Sequence, residues 1–278
     1  MPFVFYPNPV ISISKVDYRN MALSRLDDWL VARGFFLSID DARRHIMAGT
    51  VLVDDRVVNH PGTLCDTSKS LRVRKKSSSF VSRGGDKLHH FLSQIPLAVS
   101  GMWALDIGIS TGGFTDALLH HGAVHVVGVD VGYGIVDYRL RTDDRVSLLE
   151  RTNARRLTPD DINRVLVTHD RTVKDIQLVV MDVSFISVFK LLPTLRNILS
   201  PMVAYIVLIK PQFEAMRGML KSGGVMVDTN DINHVIHHVE SQLVTHNFTI
   251  LHKAPSALKG AKGNQEYFYY LSGYRFEL

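Results

Sequence analysis

LDIGISTGGFTDALL, residues 105–119, decides the fold. A short apolar strand runs into a Gly-rich turn, and the turn opens a helix. A second apolar run, HVVGVDV over residues 125–131, carries Asp130 near its end. Strand, turn, helix and strand in this order build a cleft at the carboxyl edge of a parallel sheet. A dinucleotide site wants glycine at three positions after the first strand. Gly108 and Gly113 fill the outer two, but Ser110 takes the middle one, where glycine normally lets the backbone approach a pyrophosphate. S-adenosylmethionine has no phosphate and lifts that constraint, so the turn reads as a site for this cofactor. Asp106, Gly108, Ser110, Thr111, Gly112, Gly113 and Phe114 are the candidate contacts. Asp130, 24 residues after Asp106, is placed to accept hydrogen bonds from ribose hydroxyls, with Val131 beside it.

The 278 residues allow one large domain, or a large one with a small one. A hydrophobic content of 46% supplies a packed core. The formal charge of +5 suits a polyanionic partner and also many ordinary enzymes. Cys65 is the one cysteine, so the chain forms no internal disulfide and no thiolate metal cluster, in keeping with a reducing cytoplasm. No apolar run reaches membrane-spanning length. Residues 1–22 show neither helical nor strand period. They read as a disordered extension with Met21 as a candidate start, and as a poor signal peptide, because prolines break the apolar run.

Residues 23–74 form a compact pattern. Ser24 is placed to cap a helix through Leu26, Trp29 and Leu30 that stops at Gly34. Ser38 with Asp41 resembles a capping box for a second helix. TVLVDDRVV then reads as a hairpin turning at Asp54 and Asp55, and residues 71–73 as a further strand. RLDDWLVARG followed by SIDDARRHIMAGTVLVDDRVV is similar to the small α+β RNA-binding domain named after ribosomal small-subunit protein four. That resemblance implies that Arg25, Arg43 and Arg44 face RNA; Arg72 and Arg83 are further candidates. The plainer alternative is a set of solvated helix charges. Residues 75–80 begin as KKSSS and read as a linker.

From residue 81 to 278 strands and helices alternate, which predicts a doubly wound α/β domain of Rossmann-like, mostly parallel architecture. Strands are expected at 103–107, 125–131, 146–149, 178–183 and 204–209, with a final pair near 248–252 and 266–271. Helices are expected at 86–94, 114–121 and 230–245. Lys87 then opens a helix, Asp182 and Lys210 end apolar strands, and Glu266 begins one. Ligands sit beyond the carboxyl ends of such strands. Together the four residues suggest deprotonation of a ribose hydroxyl. A lysine takes that proton only when neutral, a second cation nearby favours the neutral form, and a carboxylate orients the group. Here Lys87 would lie beside Lys210, Asp182 would orient them, and Glu266 would hold Lys87 or the ribose.

Other methylation chemistries fit less well. Pyrimidine carbon-5 methylation needs a cysteine nucleophile, and Cys65 lies in the small domain. Base-nitrogen enzymes commonly place prolines where this chain reads DVSF. Phe185 could stack on a base, but a core position is the simpler reading. Asn153 in ERTNARRL is a candidate adenine contact. His234, His237 and His238 share a helix without an acidic partner and read as a solvated face; His89, His90, His120 and His121 read as structural. No metal site is expected.

SRGGDKL, DIGISTGGFTDALL, VDVGYG, LERTNARRLTP, DVSFIS, KPQFEA, KSGGVMVD and KGNQEYF, in this order, resemble the TlyA family, often labelled hemolysin A. Its members are two-domain ribosomal RNA 2′-O-methyltransferases, and their catalytic part is similar to the FtsJ (RrmJ) enzymes. The resemblance implies that Lys87, Asp182, Lys210 and Glu266 correspond to the family's Lys-Asp-Lys-Glu tetrad. It also implies a cytidine ribose in 16S or 23S RNA as target. Ile109 departs from the small residue usual in the turn. Two rivals stand beside this reading: a non-catalytic RNA-binding assembly factor, and a membrane-lytic protein. The sequence leaves the oligomeric state open, with a monomer as the default.

Overall fold

A computed structural model describes residues 23–47, 49–73, 79–215, 219–220, 225–226, 228–260 and 263–273. The extension at 1–22 and linker residues 75–78 lie outside this set. The chain divides into two compact units, Met1–Ser77 and Ser78–Leu278.

In the first unit β1 (Leu23–Arg25) leads directly into α1 (Leu26–Ala32), and α2 (Ile39–Met47) follows. Strands β2 (Val51–Val53), β3 (Arg56–Val57), β4 (Leu64–Asp66) and β5 (Leu71–Val73) complete it. β1 pairs antiparallel with β4, and β2 lies between β3 and β5. Asp54 and Asp55 both adopt left-handed φ, 48° and 58°, the twist a two-residue hairpin needs. Ser24 does not cap α1. It pairs with Cys65 in the β1–β4 ladder, and α1 starts after Arg25 without a side-chain cap. Ser38 does serve α2, its Oγ accepting from the Asp41 amide at 3.1 Å. Leu26, Trp29, Leu30, Ala42, Ile46 and Val51 form the core.

The second unit begins with α3 (Arg83–Leu92), three residues earlier than expected. β6 (Trp103–Ile107), α4 (Gly113–His120), β7 (His125–Val129), α5 (Tyr138–Arg141) and β8 (Val146–Leu149) follow. Next come α6 (Pro159–Leu166), β9 (Ile176–Met181), α7 (Leu192–Ile198), β10 (Ala204–Ile209) and the short α8 (Pro211–Glu214). α9 (Thr229–Thr245), β11 (Thr249–Pro255) and β12 (Tyr267–Ser272) end the fold. The sheet order is β11-β12-β10-β9-β6-β7-β8. β10, β9, β6, β7 and β8 run parallel; β12 and β11 close one edge antiparallel.

Alternating side chains feed two cores, one on each face. Leu105, Ile107, Val127 and Val129 pack with α6, α7 and α9. Ala104, Val126, Leu178 and Val180 pack with α3, α4 and α5. The strand order reverses between β6 and β9, so a crevice opens beyond their carboxyl ends. Asp130, Asp182 and Lys210 each stand one residue past a strand end, and Glu266 one residue before β12. Asp182 and Glu266 were expected within strands. Outside the pleat, Asp182 lines the crevice, while Glu266 is buried against Lys87.

Candidate active site

The turn after β6 is held by its own backbone. Ser110 adopts φ 51°, a left-handed conformation rare for a residue with a side chain, and its amide donates to Asp130 Oδ2 at 2.9 Å. The Gly132 amide donates to Asp130 Oδ1 at 2.7 Å. Each carboxylate oxygen keeps a free lone pair for a ligand hydroxyl. Gly112 starts α4 at φ 97°, and a Cβ there would lie 2.2 Å from Leu140. It therefore sits beneath the cleft and does not line it.

A second pair of glycines brings Lys87 to this turn. A Cβ on Gly85 would meet the Gly113 carbonyl at 2.8 Å, and one on Gly113 would meet the Gly85 amide at 2.8 Å. The first turns of α3 and α4 thus touch backbone to backbone, and Lys87 follows within half a turn. The sequence reading used Gly113 only for the ligand turn and missed this crossing.

Two adjoining clefts share Gly108, Ser110 and Asp182. The smaller is also lined by Lys87, Thr111, Gly113 and Phe114. The larger, about 300 Å³, is also lined by Asp130, Val131, Ile135, Thr152, Asn153 and Ala154. That volume is in the range of small-molecule sites. Ile135, Thr152 and Ala154 were not anticipated, although two of them flank Asn153.

Two ion pairs join the four charged residues two by two, and Lys87 and Asp182, one from each pair, line the smaller cleft. Lys87 Nζ lies 2.5 Å from Glu266 Oε2, with both side chains almost fully buried. Lys210 Nζ lies 2.7 Å from Asp182 Oδ1 and donates to Ser184 Oγ at 2.8 Å. The buried Asp182 Oδ1 has the Lys210 ammonium as its counter-charge. Ser184 was missed by the sequence reading, though it stands two residues after Asp182. Asp106 is fully buried below the turn. Burial pushes its carboxyl up to about 7, opposed by the Thr115 hydroxyl, which donates to Oδ2 at 2.7 Å, and reinforced by Asp182. Asp106 Oδ1 has no partner among the described residues.

Phe185 is not a core residue. It is 91% exposed at φ 64°, and its ring centroid lies 5.1 Å from that of Phe213. Ile109 is buried, and glycine at position 128 makes room for it. Asn153 Oδ1 accepts from the Arg155 amide at 3.1 Å. Arg83 donates to the Lys259 carbonyl at 2.8 Å.

The candidate RNA contacts of the first unit are engaged by acids. Arg25 and Arg43 both reach the fully buried carboxylate of Asp27, at 2.8 and 2.9 Å. Burial acts to raise the Asp27 pKa, but hydrogen bonds from the two guanidinium groups outweigh it and hold the carboxyl below its ordinary value. Arg44 pairs with Asp41 at 3.2 Å, and Arg72 with Asp55 at 3.3 Å. About half of each side chain stays exposed or more, so outward donors remain on all four.

The larger cleft fits S-adenosylmethionine better than a nucleotide. Among the described residues its lining includes no lysine or arginine to offer a pyrophosphate a counter-charge, and Asp130 and Asp182 would repel it. A cationic ligand with hydroxyl and ammonium donors suits the same carboxylates. Ile107, Val129, Val131 and Ile135 offer apolar walls to a purine ring.

Residues 80–272 match the family model of the FtsJ-like methyltransferases, and residues 24–69 match that of the S4 domain. The chain is 39% identical over 249 residues to the 16S/23S rRNA (cytidine-2'-O)-methyltransferase TlyA of Mycobacterium tuberculosis, covering 89% of each chain. It is 36% identical over 244 residues to hemolysin A of Brachyspira hyodysenteriae, covering 87% of this chain and 97% of that one. A solved Streptococcus thermophilus structure with a provisional hemolysin name superposes with a TM-score of 0.66 at 33% identity, covering 91% of this chain and 89% of that one.

Proposed function

The chain belongs to the FtsJ-like methyltransferases and carries an S4 domain, and from that premise we propose that it methylates the 2′-hydroxyl of a cytidine ribose in ribosomal RNA. The relative from Mycobacterium tuberculosis, whose name states that reaction, supports the target. The observation that carries the chemistry is a set of two ion pairs, the buried Lys87–Glu266 and the partly exposed Lys210–Asp182, each of which lends one residue to the lining of the smaller cleft.

S-adenosylmethionine, held by the Gly-rich turn, Asp130, Val131 and Asn153, supplies a methyl group already activated by its sulfonium. The protein's share is then to orient the hydroxyl and to remove its proton. Lys210, once its ammonium has released its own proton to solvent, takes the hydroxyl proton, with Asp182 and Ser184 fixing its amine. Glu266 fixes Lys87, whose ammonium orients the ribose oxygen. Phe185, backed by Phe213, offers its exposed face to the target base. The S4 domain adds phosphate and shape contacts through Arg25, Arg43, Arg44 and Arg72. Such an enzyme works on ribosomes in the cytoplasm. Among the described residues no helix is long and apolar enough to cross a membrane.

The test uses the full chain, ribosomal subunits and tritiated methyl donor, followed by nucleoside analysis. A 2′-O-methylcytidine product is expected. Lys210→Ala should abolish transfer while calorimetry finds cofactor affinity retained. Label on a base, or wild-type turnover by this variant, would overturn the reading.

A further inference from the structure

The loop between β9 and α7 carries Asp182, Ser184 and Phe185 within four residues. Its start is tied to the sheet, the Asp182 amide donating to the Ile107 carbonyl at 3.1 Å. Its far end is tied to α8. Glu214, the last residue of that helix, accepts at Oε1 from the Val188 amide at 2.9 Å. Ser187 caps the same turn, its Oγ accepting from the Phe189 amide at 3.3 Å, and its hydroxyl also bonds the Glu214 carboxylate. Burial pushes the Glu214 carboxyl above its ordinary value, against the opposing pull of these bonds and of His238 on α9. α8 is a single turn opened by Pro211 directly after Lys210, and the Phe213 amide donates to the Lys210 carbonyl at 2.8 Å. Lys210, Phe213 and Glu214 thus share one short turn. They meet Ser184, Phe185 and Val188 in the same order along the loop.

We infer that Glu214 is a positioning residue: by holding Val188 it fixes the path of the loop, and so the places of Ser184 against Lys210 and of Phe185 against the target base. The role rests on the proposed methyltransferase reading, which defines that site. Glu214 is not among the described residues that line either cleft, whereas Val183, Ser184 and Ile186 line the larger one. It therefore acts through the loop and not on a ligand. Phe185 stands at a left-handed φ of 64°. A residue in that conformation keeps its place when the chain on both sides is anchored. Ser184 is anchored by Lys210 and Val188 by Glu214. Freeing one side displaces the groups between, and a misplacement of about 1 Å costs on the order of 100-fold in rate. The bond to Val188 needs an oxygen acceptor at the reach of a glutamate side chain; it does not need a charge.

Two substitutions separate reach from charge. Glu214→Gln keeps an acceptor at the same distance and removes the charge. Glu214→Asp keeps the charge and falls one methylene short. Hydrogen exchange in the full chain is followed in peptides covering residues 182–191 and 103–109, and turnover is measured on ribosomal subunits at saturating S-adenosylmethionine. Glu214→Asp should speed exchange in the first peptide about fivefold, the order of one net hydrogen bond, and leave the second unchanged. It should also lower kcat about tenfold or more. Glu214→Gln should stay within about threefold of the wild type in both readouts, as a role that depends on reach requires. The reverse ranking, with Glu214→Asp active and Glu214→Gln impaired, would overturn the proposal in favour of a charge effect. Equal losses in both variants, with faster exchange across 103–109 as well, would overturn it in favour of general packing. Wild-type exchange and turnover in Glu214→Asp would overturn it outright. The exchange readout is independent of the reaction. If the loop responds as expected but the wild type transfers no methyl to ribose, the methyltransferase reading fails and the tie between Glu214 and the loop stands. If ribose is methylated and the loop does not respond, only the positioning role fails.

Discussion

Gly260 lies so close under the Glu266 carboxylate that a Cβ at residue 260 would stand 1.9 Å from Oε1. No left-handed φ demands glycine there, so the constraint is steric alone. Gly260→Ala should push the Glu266 carboxylate away from Lys87 Nζ and leave the backbone in place. A misplacement of about 1 Å in a positioning group costs on the order of 100-fold in rate. Methyl transfer should fall by that order while the melting temperature moves by only a few degrees. A fully active Gly260→Ala protein would show that Glu266 is not needed at its observed position.

Gly128 and Ile109 are a matched pair. A Cβ on Gly128 would meet Ile109 Cδ1 at 2.3 Å in the middle of β7. Gly128→Ala should destabilise by roughly 1–3 kcal/mol through overpacking. Adding Ile109→Ala should recover part of that loss, giving a favourable coupling in a double-mutant cycle read by urea unfolding. Strict additivity would place the strain elsewhere.

Two buried groups give opposite pH dependences. His125, stacked on Trp103 at 4.8 Å and bonded to Ser147 Oγ at 2.9 Å, has its pKa pushed down to about 4 by burial and by His169. The unfolded chain takes up this proton below about 6.5, so stability is lost as pH falls from there toward 4. Asp106 keeps its proton up to about 7 in the folded state, and the unfolded chain releases it near 3.8. Stability from Asp106 is therefore lost as pH rises from about 4 to 7. The two largely offset each other in the wild type. Asp106→Asn should unmask His125 as an acid-side loss of roughly 3 kcal/mol between pH 6.5 and 4. His125→Phe should leave the reverse slope. Denaturant titrations across that range would decide, and parallel profiles for the two variants would contradict the assignment.

The carboxylate of Asp27 should matter more to folding when stripped of partners than when neutralised. Arg25→Ala with Arg43→Ala leaves a fully buried unpaired carboxylate, a loss on the order of 3–5 kcal/mol. Asp27→Asn leaves two half-exposed guanidinium groups that water can solvate, so it should cost less. Trp29 is buried in the same core, and its fluorescence in a Trp103→Phe background reports unfolding of this unit. A larger loss for Asp27→Asn would reverse the argument. The comparison also separates loss of fold from loss of RNA contact when Arg43 is altered.

The places where the structure departs from sequence expectation share one feature: each depends on a neighbour remote in the chain. Ser24 carries a good capping side chain, but Cys65 claims it for a strand ladder. Phe185 looks like a core residue by hydropathy, and the left-handed turn after β9 points it outward beside Phe213. Arg25 and Arg43 read as free charges until α1 and α2 close around Asp27. α3 starts at Arg83 and takes into its first turn the pair Gly84-Gly85, which local propensity disfavours in a helix, because the close backbone approach of α4 requires glycine there.

By itself the sequence determined the α/β class, the Gly-rich turn after the first parallel strand, the acid that closes the second, and the identity of the four charged residues. Those features rest on glycine torsions, alternation of apolar side chains and positions at strand ends, all of which act over a few residues. Only the tertiary structure decided which amine pairs with which acid, since Lys87 and Glu266 are 179 residues apart and meet through the order of the strands. It alone also matched Arg139, Arg141 and Arg145 with Asp137, Glu150 and Asp143. Partner choice among charges follows distance in space, and a linear chain does not carry that distance.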